Sequence, residues 1–499
     1  MSIFRKHQFF TALCAALFLA IVATYGSAGA QQEKAASPQE AGKKQDTKPA
    51  QDDGPVAVTP VVPRTGNTMI PEAEKLESGQ LAMMGFPDLN NKGEVAFFGR
   101  YMSATGPQGV MRAIMVKGDK GLRIAVREGD KPVNYDCTLT EFFNPSITEA
   151  GDLAFVGYFN ETNKKAPSAN SPVAAREDQQ KSGIFLKNAL GLFLLVKSGQ
   201  EVPRMPSTTS NLGTPSINSK GLLAFIGTYV DPDGRGLFYL DSTQDAEKQT
   251  DGTVVGKGRI NLVVRSGQRV AAVPTAVYSE HYYPSSISES GDLAFFVRMG
   301  DGGGIFVKRG DKVELIAQQG KEAPVSEAKF IGFGNINPSI NDKGDIAFVA
   351  FFDGPNAGRG LFVKEAGKEG PPRLVLRSGD EILKTETQFT SFNSPAINAR
   401  GDIAFLGNYG GMRTRGVFLK TEKGLTIIAR GEDPVPGGKV GDAFNNFANI
   451  KINDKGRVVF YGQLRTGSVG VFVWDEEEGL RQLVKRGERV PDEKMVGRN

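Results

Sequence analysis

The sequence predicts an all-β fold, a closed β-propeller of about seven four-stranded blades. Three observations predict it. One phrase recurs seven times, as LNNKGEVAFFG (89–99), ITEAGDLAFVG (147–157), INSKGLLAFIG (217–227), ISESGDLAFFV (287–297), INDKGDIAFVA (340–350), INARGDIAFLG (397–407) and INDKGRVVFYG (452–462). Glycine reaches 61 of 499 residues, nearly twice its usual share, as a chain of strands and tight turns requires. No stretch keeps a 3.6-residue period, and glycine or proline interrupts the chain every ten residues or so.

In chain order, residues 1–30 read as a signal peptide. Arg5, Lys6 and His7 give a positive start, Phe9 to Tyr25 is apolar and uncharged, and Ala28-Gly29-Ala30 is a small-residue cleavage site. The alternative is an uncleaved N-terminal anchor, which would be the only membrane contact expected. Residues 31–54 are charged and rich in Ala, Gln and Pro, the composition of a disordered linker. Val56 to Pro71 resembles a spare copy of the fourth strand, able to help tie the ring shut. The repeats fill 55–491, and 492–499 are a tail.

Each repeat, about 60 residues long, divides into four strand-like pieces. The first ends in Ile-Asn, as in Asn337-Pro338-Ser339-Ile340-Asn341. Asparagine caps a tight turn, and a glycine three residues later takes the left-handed conformation that a type I turn with a bulge requires. The second piece is apolar and aromatic, as in Ile346 to Phe351. The third begins with glycine, as in Gly360 to Lys364. The fourth, Arg373 to Arg377, leads into Ser378-Gly379-Asp380. Four short antiparallel strands, repeated, suit a ring of blades better than a solenoid, which needs distinct end caps. The first repeat diverges most, with Ala113 where the third strand starts. Inserts at about 160–182 and 241–258 are expected as exposed loops on opposite faces.

The N-x-x-G-x-x-A-F phrase, complete at Asn218 to Phe225, Asn341 to Phe348 and Asn398 to Phe405, resembles the tandem NxxGxxAF-repeat proteins of the bacterial "choice-of-anchor" type. The second and fourth repeats depart from it with Thr148 and Ser288, and the seventh has Val459 for Ala. The resemblance implies an exported protein of the periplasm, cell surface or exterior. It implies no activity.

Composition narrows the chemistry. The net charge of +4 falls to about +2 without Arg5 and Lys6, too balanced for nucleic acid. Beyond the first 30 residues one cysteine, Cys137, and one histidine, His281, remain, so no internal disulfide can form and histidine-cysteine zinc sites are excluded. Ser-His-Asp or Cys-His catalysis would have to pass through His281, beside Tyr282 and Tyr283 in what reads as a loop. Asp231-Pro232-Asp233-Gly234 is a fragment of an acidic calcium loop, better read as a plain turn. Asp152, Asp292, Asp345 and Asp402 all follow the turn glycine, and that recurrence points to a structural role.

In the innermost strand one column reads Asp88, Ser146, Ser216, Ser286, Ser339, Ala396 and Lys451. Ring closure would make Asp88 and Lys451 neighbours and an ion pair. The segments before these strands carry Phe142, Phe143, Tyr278, Tyr282, Tyr283, Phe330, Phe333, Phe389, Phe392, Phe444 and Phe447, as inter-blade packing or as a binding face. The candidate binding residues are therefore Asp88, Lys451, His281, Tyr282 and Tyr283. No cofactor is expected. The favoured function is a monomeric, non-enzymatic binding or scaffold module for an unknown protein or glycan. The competitor is a polysaccharide-acting enzyme with carboxylates at the channel mouth.

Overall fold

The structure is a computed structural model that describes residues 76–103, 109–162, 181–202, 205–230, 233–244, 260–271, 273–283, 286–300, 302–334, 337–382, 385–410 and 414–491. The chain divides into units 1–70 and 71–499, and every described residue belongs to the second. The segments read as signal peptide, linker, spare strand and tail, and most of both inserts, lie outside the described residues.

Seven antiparallel sheets follow one another along the chain, six of five strands and one of four. The fold is a seven-bladed β-propeller. In the first blade β1 (Leu81–Met84) and β2 (Asp88–Leu89) lie end to end along β3 (Val95–Met102), which pairs with β4 (Val110–Gly118) and that with β5 (Gly121–Arg127). The fifth strand of a blade is thus the inner strand broken in two, or, in the fourth and sixth blades, the short pieces Arg269–Val270 and Glu381–Ile382 that precede it. The sequence reading of four strands per blade missed this break. The seventh blade has four, ending with its own outer strand Gly479–Lys485.

The core explains the A-F and G-x-F phrases. The two phenylalanines pair across the second and third strands and stack, as in Phe155 on Phe185, Phe348 on Phe362 and Phe460 on Phe472 at 5.5–5.7 Å. The first blade puts Met115 opposite Phe97 instead. In most blades inner-strand aromatics close over the stack, as Phe389 and Phe392 do on Phe405, and Phe444 and Phe447 on Phe460; the third blade's inner strands, TTSNL and SI, have none. Phe142, Tyr278 and Phe330 are likewise buried. These residues belong to paired strands and to the core, so of the two expectations it is packing that they serve, from strands rather than loops. Gly360 is required by this packing, since a Cβ there would strike the Phe362 ring and Leu374.

One tie joins each blade to the next. The turn after each outer strand hydrogen-bonds to the following inner strand: Gly129 N to Leu139 O, Gly199 N to Thr209 O, Gly267 N to Tyr278 O, Gly320 N to Phe330 O and Gly379 N to Phe389 O, with Glu432 N to Phe444 O in the same place. The seventh tie, Gly487 N to Leu81 O, runs from the last blade to the first and closes the ring. Leu81 N to Glu488 O and Val490 N to Gly79 O reinforce it.

Candidate functional site

The inner strands meet neighbour to neighbour around the axis, so the axis is where convergent side chains must be sought. The seven turns form as their chemistry demands: each glycine has positive φ, from 77° at Gly221 to 91° at Gly291, and bonds back to the residue three before it. Three tiers of polar side chains then link the blades.

The deepest tier is asparagine. Asn90 Oδ1 accepts the Glu94 N–H of its own turn at 2.9 Å, while its Nδ2 donates to Thr148 O in the next blade at 3.0 Å. Asn218, Asn341, Asn398 and Asn453 repeat this, donating to Ser288, Asn398, Asn453 and Asn90 carbonyls at 2.8, 2.8, 3.0 and 3.1 Å. All five are buried. Thr148 and Ser288 keep the cap on their own turns, to Asp152 N and Asp292 N, but have no amide to give across the interface. A hydroxyl can also donate, but asparagine carries its donor on a separate atom, Nδ2, that reaches the next blade while Oδ1 caps the turn, which is the physical content of the repeated N-x-x-G.

The second tier is the predicted small-residue column. Asp88 Oδ2 accepts Ile147 N at 2.9 Å; Ser286 and Ser339 hydroxyls accept Ile340 N and Ile397 N at 3.0 and 3.2 Å. Ser146 and Ser216 sit similarly at 3.5 and 3.3 Å. Lys451 cannot accept; its Nζ lies 3.0 Å from Asp88 Oδ1 across the seam.

The third tier lies one residue past each asparagine and was missed in the sequence. Glu149 accepts Asn91 N at 2.8 Å, Ser219 accepts Glu149 N at 3.2 Å, Glu289 accepts Ser219 N at 3.0 Å, and Asp342 accepts Glu289 N at 2.8 Å. Asp454 accepts Ala399 N at 2.7 Å, and exchanges two bonds with Asn91, at 2.7 and 2.8 Å. The available signal was a column reading Asn, Glu, Ser, Glu, Asp, Ala, Asp, polar acceptors in six of seven repeats. Burial pushes the Glu149 carboxyl up; the Asn91 N–H pulls it down, the Glu289 and Asp454 carboxylates push it further up, and Lys92 opposes them. Asp342 is likewise raised, by burial and by the charges of Glu289 and Asp454, against the Glu289 N–H and Lys220. Four acids therefore share one mouth of the axis.

The remaining candidates separate from this site. His281, Tyr282 and Tyr283 end the inner strand Val273–Tyr283, with Tyr282 opposite Val297 and Tyr283 opposite Phe296, so they are strand rather than loop residues. Their side chains, like Asp231 and Pro232, lie outside the described residues. Burial pushes the Cys137 thiol up to about 12, with the Glu161 and Asp136 carboxylates adding to it, so it is an inert core thiol at neutral pH. Among the described residues no group of three or more His, Cys, Asp or Glu is placed to hold a metal, and no helix is long and apolar enough to cross a membrane.

The sequence matches the model of a "Family of unknown function (DUF7453)" over residues 57–173, 173–300 and 254–413. The chain belongs to this family. The three matched stretches run from ahead of the first blade into the sixth. No curated protein matches. Among solved structures, the chain resembles the β-propeller domain of the Trilobed protease from Pyrococcus furiosus at 11% identity and TM-score 0.44, covering 82% of this chain and 99% of that one. It resembles Pyrococcus horikoshii acylaminoacyl peptidase at 10% and 0.44, covering 81% of this chain and 53% of that one. It resembles the fucose-specific lectin from Aleuria aurantia at 8% and 0.32, covering 84% and 100%. These are likenesses of architecture and carry nothing about ligand or chemistry.

Proposed function

We propose that this chain is an exported, non-enzymatic binding or scaffold propeller of the periplasm or cell surface, of the NxxGxxAF-repeat, choice-of-anchor type. The observation that supports it is the use made of the axial acids. Glu149, Glu289, Asp342 and Asp454 each accept a backbone N–H from an adjoining blade, so the mouth where convergent chemistry would sit is occupied with holding the ring together. Thermal unfolding of the full-length chain against oligosaccharides, peptidoglycan fragments and calcium tests the reading. A ligand at ~100 times its dissociation constant adds ~2.7 kcal/mol and a visible shift. Binding without turnover is the expected result, and hydrolysis of any oligosaccharide contradicts it.

One observation favours the enzyme reading. A carboxyl raised by burial beside ionised carboxylates is the arrangement of a general acid with a charged partner. On that reading Glu149→Gln or Asp342→Asn abolishes hydrolysis; on ours there is no hydrolysis to lose.

A further inference from the structure

The residue after the turn glycine is acidic in five blades, and four of these acids are partnered. Glu94 accepts from Asn90 Nδ2 and faces Arg123; Asp292 pairs with Arg309 at 2.5 Å; Asp345 accepts from Asn341 Nδ2 and Ala366 N; Asp402 accepts from Asn398 Nδ2 and pairs with Arg400. Asp152 is the exception. Its backbone N–H is held by Thr148, and its carboxyl, half-buried, has no hydrogen bond or ion pair among the described residues. Thr148, having no amide, cannot supply the bond that Asn341 and Asn398 give their own acids. A repeat that leaves one desolvated carboxylate without a partner, where its siblings have one, has given up stability at that point.

The carboxylate borders a notch between the first and second blades, about 310 Å³ in volume, lined by Arg123, Ala125, Asp152, Leu153, Lys187 and Asn188. In three of the other interfaces a guanidinium lies over the next blade's turn glycine: Arg309 on Gly344, Arg400 on Gly456 and Arg457 on Gly93. Over Gly151 the nearest group is instead Glu94 Oε2, 3.4 Å from where a Cβ would stand, with Arg123 Nη2 at 3.9 Å and drawn to within 3.6 Å of Glu94 Oε1.

We propose that this notch binds a neutral, polyhydroxylated ligand the size of a monosaccharide, with Asp152 as its principal acceptor. The proposal rests on the reading of the chain as a binding propeller and names a ligand class for it. Arg123 is paired with Glu94 beside the notch, which leaves one acid, Asp152, and one base, Lys187, among the lining charges, so neither an anion nor a cation is strongly drawn in. A diol is matched to such a pair: its hydroxyl protons go to the carboxylate, and its oxygens accept from guanidinium and ammonium. Ala125 and Leu153 give an apolar wall for the C–H face of a sugar ring. The volume is at the small end for small-molecule sites, as one sugar ring needs.

The test is saturation-transfer NMR and calorimetry on the full-length chain, using methyl α-mannoside, methyl β-glucoside and methyl β-galactoside, with glycine and inorganic phosphate as charged probes. At least one glycoside is expected to bind saturably. Asp152→Asn weakens it by about tenfold or more without lowering the unfolding temperature. Asp345→Asn, at a partnered sibling, lowers the unfolding temperature and leaves glycoside binding intact. Absence of glycoside binding, binding unmoved by Asp152→Asn, or binding of phosphate or glycine alone overturns the site. If glycosides fail while an oligosaccharide or peptidoglycan fragment still stabilises the chain, the site falls and the binding-propeller reading stands. If a glycoside is bound and cleaved, the non-enzymatic reading falls and the site stands.

Discussion

The seam between the seventh and first blades and the interface between the second and third are built differently. Both bury an apolar cluster, Val156, Ile184, Leu186, Ile217, Phe225 and Phe238 at the second-to-third interface and Val95, Phe97, Val459, Val471 and Val484 at the seam, but the chain itself crosses the second-to-third interface. Its axial polar links are sparse, with no amide from Thr148 and a long 3.5 Å contact from Ser146. At the seam no peptide crosses, and the polar links are densest. Asn453 donates to Asn90 O, Asp454 and Asn91 exchange bonds, Asn449 Nδ2 donates to Pro87 O, Lys451 meets Asp88, and Lys117 meets Glu488 at 2.8 Å. Directional bonds fix register where chain continuity cannot. The Lys451–Asp88 pair then reads as part of this lock, a role that need not add net stability.

The comparison can be broken most severely by ending the chain after Lys485. That removes the tie at Gly487, Glu488 and Val490, including the buried Val490 side chain. The expected cost is about 3–6 kcal/mol, from three backbone bonds and one apolar side chain, read by chemical denaturation. A loss below ~1 kcal/mol would mean that the seam does not carry the ring. Next in size is Asn453→Ala, which strips the cap from the Arg457 turn and the donor to Asn90 O. About 2 kcal/mol is expected, against about 1 kcal/mol for Thr148→Ala, which loses a cap alone.

The sharper prediction runs the other way. Thr148→Asn gives the second blade the missing amide, facing the Asn218 carbonyl, and should stabilise by about 0.5–1.5 kcal/mol. The smallest effect concerns pH. Glu149 and Asp342 have raised values in the fold, so they bind protons more readily there than in the unfolded chain. Their contribution to stability is fully present below the ordinary carboxylate range and is lost as pH rises through the raised values. Glu149→Gln fixes the neutral form and keeps an acceptor for Asn91 N. It should raise the unfolding temperature at pH 7 and change it less at pH 4; equal shifts at both would remove the charge explanation.

Much of this was legible in the sequence. The seven glycines announced the turns, and the aromatic second strand announced the stacked core, because both are local demands repeated seven times. The Asp88–Lys451 pair was legible because ring closure places the first and last copies of a column together. The inter-blade amide of the asparagines was hidden, since the same residue fully explains the turn it caps. The acidic third tier was hidden because Glu, Ser, Asp and Asn do one job there and look unlike as letters. The inner-strand aromatics were misread for a physical reason: a break in the strand near Asn144-Pro145 and its counterparts interrupts the period-2 pattern, so each half looks like loop.

The central claim, a ring closed by the seventh tie, is tested most directly by cross-linking Gln80 to Arg489, which face each other in an isolated antiparallel bridge. Cysteines would replace these two residues in a chain carrying Cys14→Ser and Cys137→Ser, and oxidation would be followed by mass spectrometry of the purified monomer. A rapid intramolecular disulfide joining the peptides that contain positions 80 and 489 is the result predicted. No disulfide, or one that forms only between molecules, would show that the first and seventh blades do not meet.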